Sequence, residues 1–112
     1  MEGVDNWTTQ LRKGVLELCI LNIIGHRRIY GYDIVKHLRD VDTLVVREGT
    51  IYPILSRLRR DGLLRASLEE SSEGPARKYY ELTRRGEQVL VEMNGYWDVL
   101  TRGIHDLRKG GR

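Results

Sequence analysis

The chain has 112 residues, 40% of them hydrophobic, which suits one domain with a single apolar core. Its 19 Lys and Arg against 16 Asp and Glu give a net charge of +3, too small an excess to identify a polyanion partner by itself. A single cysteine excludes a disulfide framework, the longest apolar run is too short to span a bilayer, and no signal peptide is indicated, so we expect a cytoplasmic protein.

The first predicted element is a helix that starts at Thr8 or Thr9, either of which can serve as N-cap, and ends near Ile24 before Gly25. Its apolar side chains cover most of its circumference, so the helix must be buried on more than one side. A chain of this length can hardly surround such a helix alone. The pattern therefore indicates a second subunit.

The next segments predict two further helices with a short strand between them. A second helix covers residues 32–40, where the apolar residues have helical spacing. Residues 43–47 (TLVVR) are rich in β-branched residues and predict a small strand. A third helix covers residues 49–60, where Pro53 is tolerated only in the first turn and Gly62 provides the stop.

A β-hairpin and a long helix complete the chain. LLRASLEE (63–70) and ARKYYELT (76–83) read as paired strands, and the Gly-Pro pair before the second one indicates the turn. Thr83 is a suitable N-cap for a fourth helix that reaches about Lys109.

The predicted fold class is mainly α with a small β-hairpin. It consists of a winged helix-turn-helix DNA-binding domain over residues 1–83 and a long C-terminal dimerisation helix over residues 84–112. A hairpin directly behind a basic third helix strengthens the interpretation, because helix pairs alone are common in proteins.

The apolar residues of the third helix share one face, which is predicted to be its core side: Ile51, Ile54, Leu55 and Leu58. The opposite, exposed side provides the candidate base-reading residues. Recognition helices enter the major groove with their N-terminal residues, and the planar fork of Arg57 can bond two guanine acceptors at once. Arg77 and Lys78, beside the predicted turn, are expected on flanking phosphates or in the minor groove. The predicted DNA-binding residues are Tyr32, Gly49, Thr50, Tyr52, Pro53, Ser56, Arg57, Arg60, Arg77 and Lys78.

The fourth helix carries apolar residues at alternating spacings of four and three, a heptad pattern that Gly103 interrupts. This seam can pack against the first helix of a partner and complete its burial. The predicted homodimer interface comprises Leu18, Ile20, Val89, Met93, Tyr96, Leu100, Ile104 and Leu107.

Catalysis is not indicated by any residue pattern. His26, His37 and His105 lie on separate elements, and neither a phosphate-binding glycine loop nor metal-ligand spacing occurs, so no cofactor or metal is expected. The alternative function from another class is a winged-helix protein-interaction module without specific DNA binding. Such a module would not need the cations on the third helix and the hairpin.

Three segments resemble one protein family: YGYDIVKHL (30–38), EGTIYPILSRLRRDGLL (48–64) and ARKYYELTRRG (76–86). In this order they are similar to the PadR family of bacterial transcriptional regulators, in its short form with one C-terminal helix. The resemblance implies a repressor that binds an inverted-repeat operator as a homodimer. The chain departs from it by having Pro75 and Ala76 where many members have arginine.

The resemblance also implies a position for an effector. Trp97 approximately matches a tryptophan that binds small aromatic compounds at the dimer interface of some members. Simple packing of Trp97 in the interface is the other interpretation, and a partner protein is an alternative to a small-molecule signal.

Overall fold

The computed structural model describes residues 2–110, without the side chain of Glu2. Within this range it contains four α-helices and a three-stranded antiparallel sheet, which confirms the mainly α fold class with a small hairpin. The elements are α1 (Glu2–Ile24), β1 (Ile29–Tyr30), α2 (Gly31–Arg39), a 3-10 turn (Asp42–Leu44), α3 (Glu48–Arg60), β2 (Leu64–Ser71), β3 (Gly74–Leu82) and α4 (Arg84–Arg108).

The sheet has the strand order β1-β3-β2. In the hairpin, Leu64 pairs with Leu82 and Ala66 with Tyr80, and these residues face the core. The sequence did not predict β1, which has only two residues and places Tyr30 opposite Tyr79. A strand this short exists only because β3 supplies its hydrogen-bond partners, and no local pattern marks it.

The core lies where the second half of α1, helices α2 and α3, and the sheet meet. Its apolar spacing on α2 and α3 is as predicted, and the residues without exposed surface are Ile20, Leu21, Ile24, Ile34, Val35, Leu38, Ile51, Leu55 and Leu58. Ile20 was predicted at the dimer interface, but it is 0% exposed inside its own chain. It has no surface to offer a second subunit, so that assignment is wrong.

Helix α1 begins at Glu2, not at Thr8 or Thr9. Both threonine hydroxyls donate to the carbonyl oxygen of Asp5, at 3.0 and 2.8 Å. A threonine inside a helix bonds back to a carbonyl one turn earlier in this way, so its presence does not mark a helix start. The additional turns carry Val4 and Trp7, which are exposed, as is Leu11 one turn later on α1.

The strand predicted over residues 43–47 is wrong. The chain forms the 3-10 turn there, and Val45 follows it with φ of 50°, in the left-handed region that β-branched residues rarely adopt. A strand requires a neighbour, and the sheet positions beside β3 are already occupied by β1 and β2. Local β-propensity therefore does not decide the structure of this segment.

Helix α3 starts at Glu48, which makes Pro53 its sixth residue rather than part of its first turn. Because proline has no N–H, the carbonyl of Gly49 loses its usual donor within the helix. Gly49 is exposed, so water can bond to that carbonyl.

The start of α4 is held by the predicted cap, Thr83. Its hydroxyl donates to the carbonyl of Gly62 at 2.6 Å and accepts from the N–H of Gly86 at 3.0 Å. Its own N–H donates to the carbonyl of Leu63 at 3.0 Å. These bonds attach the long helix to the turn between α3 and β2.

A reciprocal amide pair fixes α4 against α1. The side chains of Asn22 and Asn94 each donate to the other's oxygen at 2.9 Å. Toward the start of α1 and the end of α4, mainly apolar side chains of the two helices line a shared groove.

No helix within residues 2–110 combines the length and hydropathy needed to cross a membrane.

Candidate nucleic-acid interface

A groove of about 300 Å³ opens between the start of α2, the middle of α3 and strand β3. We call it the tyrosine groove, because it is lined by Tyr30, Tyr32, Tyr52 and Tyr80 together with Gly31, Ser56, Ala76, Arg77 and Lys78. Five of the ten predicted DNA-binding residues meet here: Tyr32, Tyr52, Ser56, Arg77 and Lys78. Residues far apart in sequence thus form one polar, basic surface.

The free side of α3 continues this surface. Gly49, Thr50, Pro53, Ser56 and Arg60 are all exposed. Gly49 has open space where a Cβ would stand, and its lack of a side chain allows close approach to the start of the helix. This side of α3 is therefore small and polar near its N-terminus and basic at its last residue.

Tyr52 and Arg39 both interact with the carboxylate of Glu48, the first residue of α3. The hydroxyl of Tyr52 donates to the Glu48 carboxylate at 3.3 Å, and an Arg39 nitrogen lies 3.9 Å from the other Glu48 oxygen. Burial first, and then the Glu48 charge, raise the pKa of Tyr52, so its hydroxyl remains a donor at neutral pH. These partners reduce the repulsion that Glu48 would exert on a phosphate.

Arg57 does not lie where the sequence placed it. Its guanidinium forms an ion pair with Glu17 of α1 at 3.1 Å and is 3.8 Å from Asp61. The side chain is 44% exposed, but it is directed along the α1 side of α3 rather than toward the tyrosine groove. An arginine held by two carboxylates is poorly suited to bond guanine, so the structure argues against the base-reading role.

The hairpin tip also differs from the prediction. The pairing of Ser71 with Gly74 closes a two-residue loop, Ser72–Glu73, so the Gly-Pro pair belongs to β3 and not to the turn. Pro75 is tolerated there because β1 pairs only with residues 79–80, and the β2–β3 register shifts between Glu69 and Ser71, so that Pro75 is not one of the paired positions. The tip is therefore acidic, whereas Arg77 and Lys78 lie further along the strand.

The outer face of the sheet carries two arginines stacked on tyrosines. The Arg28 guanidinium carbon lies 4.2 Å from the Tyr79 ring centre, and that of Arg77 lies 5.0 Å from the Tyr30 ring centre. The two rings are 5.7 Å apart. Arg28 and Tyr30 are not among the residues predicted from the sequence to bind DNA, although their alternation with the buried Ile29 is a signal for an outward-facing pair.

A second, apolar groove of about 390 Å³ lies between α1 and α4. Leu11, Val15, Leu18, Met93, Trp97 and Leu100 line it. Tyr96 also lines this groove and is exposed, as are Ile104 and Leu107 further along α4. Val89 and Met93 pack partly on the chain's own core. Apart from Ile20, the predicted interface residues thus follow one side of α1 and α4.

Neither nucleophilic nor metal chemistry is evident at these surfaces. Cys19 is half-buried, and burial raises the pKa of its thiol, which disfavours the reactive thiolate. Residues 2–110 contain no cluster of three or more His, Cys, Asp or Glu side chains that is arranged to hold a metal ion.

Comparison with known proteins agrees with this geometry. Residues 20–92 match the model of the transcriptional regulator PadR-like family. The transcriptional regulator Rv3488 of Mycobacterium tuberculosis is 30% identical over 95 residues, which cover 85% of this chain and 87% of that protein. A PadR family regulator from Eggerthella lenta is 33% identical, with a TM-score of 0.82, over 95% of this chain and 92% of its own.

A third similar protein has been crystallised with DNA. PadR from Bacillus subtilis, in complex with operator DNA, is 26% identical to this chain, with a TM-score of 0.64. The match covers 70% of this chain and 46% of the Bacillus protein.

Proposed function

This chain belongs to the PadR-like family of transcriptional regulators, and from that premise we propose that it is a repressor that binds an inverted-repeat operator as a homodimer. Members of the family are transcription regulators and not enzymes, which confirms the expectation that the chain is not a catalyst. The division into a DNA-binding domain over residues 1–83 and a dimerisation helix over residues 84–112 is part of the same proposal.

The observation that carries the DNA-binding proposal is the tyrosine groove beside the free side of α3. Tyr32, Tyr52, Ser56 and Lys78 line one concavity. The hydroxyls of Tyr32 and Ser56 and the ammonium of Lys78 are donors of the kind that bind phosphate and base edges, whereas the Tyr52 hydroxyl donates to Glu48. We place the start of α3 in the major groove, where Gly49 allows close approach. Arg60 and Lys78 contact the flanking backbone, and Arg57 braces α3 against α1.

The same arrangement favours DNA over the alternative of a protein-interaction module. The surface beside α3 is polar and basic, whereas the residues that suit a protein contact lie on the other side, along α1 and α4. Separate polar and apolar surfaces fit a dimer that presents two recognition helices to one duplex.

The homodimer is supported by the apolar side of α1 and α4. Trp97 is 38% exposed and Leu100 44% exposed in the isolated chain, and Tyr96, Ile104 and Leu107 extend the same side. Contiguous apolar surface of this kind is typical of a site that another protein covers. A two-fold axis along α4 would bury it in both subunits.

We expect salt-sensitive, sequence-specific DNA binding. An operator is first selected from random duplexes with the protein itself, and its affinity is then compared with that of a scrambled duplex by fluorescence anisotropy. Each phosphate contact should add about 0.9 to the slope of log affinity against log salt. The selected sequence should be an inverted repeat with half-sites roughly 34 Å apart. Equal affinity for the scrambled duplex at physiological salt would refute a specific regulator.

We also propose a small aromatic effector that binds at the dimer interface beside Trp97. The indole lines the apolar α1–α4 groove, and the dimer axis would bring its symmetry mate close. Stacking between two indoles contributes roughly 0.5–1.5 kcal/mol per ring pair beyond area burial. Release of DNA requires that the compound prefer a dimer with altered spacing of the recognition helices.

Trp97 fluorescence tests the effector in a Trp7→Phe variant, which leaves a single indole. Phenolic acids and planar cationic dyes are titrated, and we expect quenching of Trp97 together with a loss of operator affinity. Quenching without any change in operator affinity would mean that Trp97 only packs in the interface and does not transmit an effector signal. A response only to an added protein fraction would favour a partner protein as the signal.

A further inference from the structure

Arg77 lies on the outer face of the sheet, where the strand pairing places an acidic residue opposite it as a possible ion-pair partner. Glu69 is the residue directly opposite Arg77 in the β2–β3 pairing. Its carboxylate is instead occupied by Arg28, whose guanidinium is 3.3 Å from a Glu69 oxygen and 3.2 Å from the Ser67 hydroxyl. Arg28 is itself held on the ring of Tyr79. Glu69 is therefore paired with Arg28 rather than with Arg77, and the Arg77 guanidinium remains available to another partner.

The Tyr30 ring holds the Arg77 guanidinium at the edge of the tyrosine groove. Within residues 3–110 Arg77 forms no ion pair, and its guanidinium carbon lies over the Tyr30 ring, 5.0 Å from the ring centre. Tyr30 is half-buried, and its ring centre lies 5.7 Å from that of Tyr79 and 6.4 Å from that of Tyr32, contacts that restrain its orientation. Tyr30 and Arg77 both line the groove that contains Tyr52, Ser56 and Lys78.

We propose that Tyr30 is a positioning residue for DNA binding, which holds the Arg77 guanidinium where it contacts a phosphate beside the tyrosine groove. The inference rests on the proposed DNA-binding function. It adds Tyr30 and the contact of its ring with Arg77, neither of which that function by itself requires. A flexible arginine loses rotamer freedom when it binds a phosphate, and a guanidinium already stacked on a ring loses less. The flat guanidinium can keep the ring contact while its N–H groups point to the phosphate.

The stack is tested first without DNA. In the nuclear magnetic resonance spectrum, the Arg77 side-chain protons of the wild type should be shifted upfield by the ring current of Tyr30. The shift should persist in Tyr30→Phe, which keeps the ring, and disappear in Tyr30→Leu. An unshifted wild-type arginine would overturn the proposal before any binding experiment.

Affinity for a short mixed-sequence duplex then tests the consequence. Arg77→Gln should weaken binding roughly fivefold near physiological salt and lower the salt slope by about 0.9, as expected for one phosphate contact. Tyr30→Leu should weaken binding a few-fold in the wild-type background and not at all in the Arg77→Gln background. Tyr30→Phe should bind like wild type. An equal loss from Tyr30→Leu in both backgrounds means a general structural role and overturns the proposal.

Two further variants make the result specific. Arg57→Gln removes one guanidinium that Glu17 and Asp61 already hold, so the salt slope should not change. Arg77→Lys keeps the charge but loses the flat guanidinium surface, so it should weaken DNA binding while the salt slope is retained. If Tyr30→Leu does not fold, this variant decides whether Tyr30 positions Arg77. Wild-type affinity in Arg77→Lys would refute positioning by Tyr30. Failure of the wild type to bind any duplex would instead refute the proposed function itself.

Discussion

Leu100→Glu is expected to convert the protein to monomers and to abolish operator binding. Leu100 lies on α4 where the α1–α4 groove meets the apolar stretch of Tyr96, Ile104 and Leu107. A carboxylate buried there in a dimer would have no partner. An unpaired buried charge costs about 3–5 kcal/mol, which corresponds to dimers weakened by roughly a hundredfold or more.

The change should leave the subunit itself folded. Leu100 is 44% exposed in the isolated chain and does not belong to its core cluster, so the loss is confined to association. Val91→Glu is the matched control, because Val91 lies on the same helix, is 72% exposed and lines neither apolar groove. Sedimentation equilibrium at micromolar concentration should show dimers for the wild type and Val91→Glu, and monomers for Leu100→Glu.

The loss of operator binding follows from the geometry of two half-sites. A monomer contacts only one of them and forfeits the second recognition helix. A wild-type protein that sediments as a monomer would refute the interface and the inverted-repeat geometry together. A Leu100→Glu dimer with full operator affinity would show that α4 associates through another side.

Gly86→Ala is expected to cause a large loss of folding stability. A Cβ at Gly86 would collide with the carbonyl oxygen of Leu63 and stand 3.0 Å from its carbonyl carbon. Backbone cannot move aside as a flexible side chain can, so α4 must shift away from the start of β2. Overpacking of this kind costs roughly 1–3 kcal/mol. The displaced Thr83 cap costs about 1 kcal/mol more.

Gly95→Ala provides the control for Gly86→Ala. Gly95 lies in the middle of the same helix, and nothing stands within 4 Å of a Cβ added there. Because alanine favours a helix more than glycine, this change should stabilise the protein by about 1 kcal/mol. Urea denaturation followed by circular dichroism, at one protein concentration, measures both. Equal effects of the two substitutions would contradict the close approach of α4 to Leu63.

Sequence periodicity was sufficient for the elements that have strong local signals. The spacing of apolar residues along α2 and α3 identified the buried positions of both helices, such as Ile34 and Leu55. Thr83 was recognised as the cap of α4 because the pattern around a helix start is chemical and short-range. The order of motifs also indicated the family to which the chain belongs.

The errors occurred where a local signal competes with a distant partner. Val45 and its neighbours have high β-propensity but no strand beside them, and they form a 3-10 turn. Pro75 follows a glycine, as in many turns, yet the register of the hairpin draws both into β3. In the first case no neighbouring strand was available, and local hydrogen bonds such as that from Val45 N–H to the Asp42 carbonyl formed the turn instead. In the second case pairing with β2 outweighed the turn preference of the segment itself.

The sequence by itself determined the helices, the hairpin, the family and the set of cations available to a DNA surface, because spacing and capping act over a few residues. Only the tertiary structure decided which of these cations are held in ion pairs. Arg57 and Arg77 are the same residue type, but their surroundings differ. Arg57 is paired with Glu17 on α1. Arg28 is paired with Glu69, and Arg77 lies over the ring of Tyr30 instead. Ion pairing depends on separations of a few ångströms between residues far apart in the chain, and folding alone sets those distances.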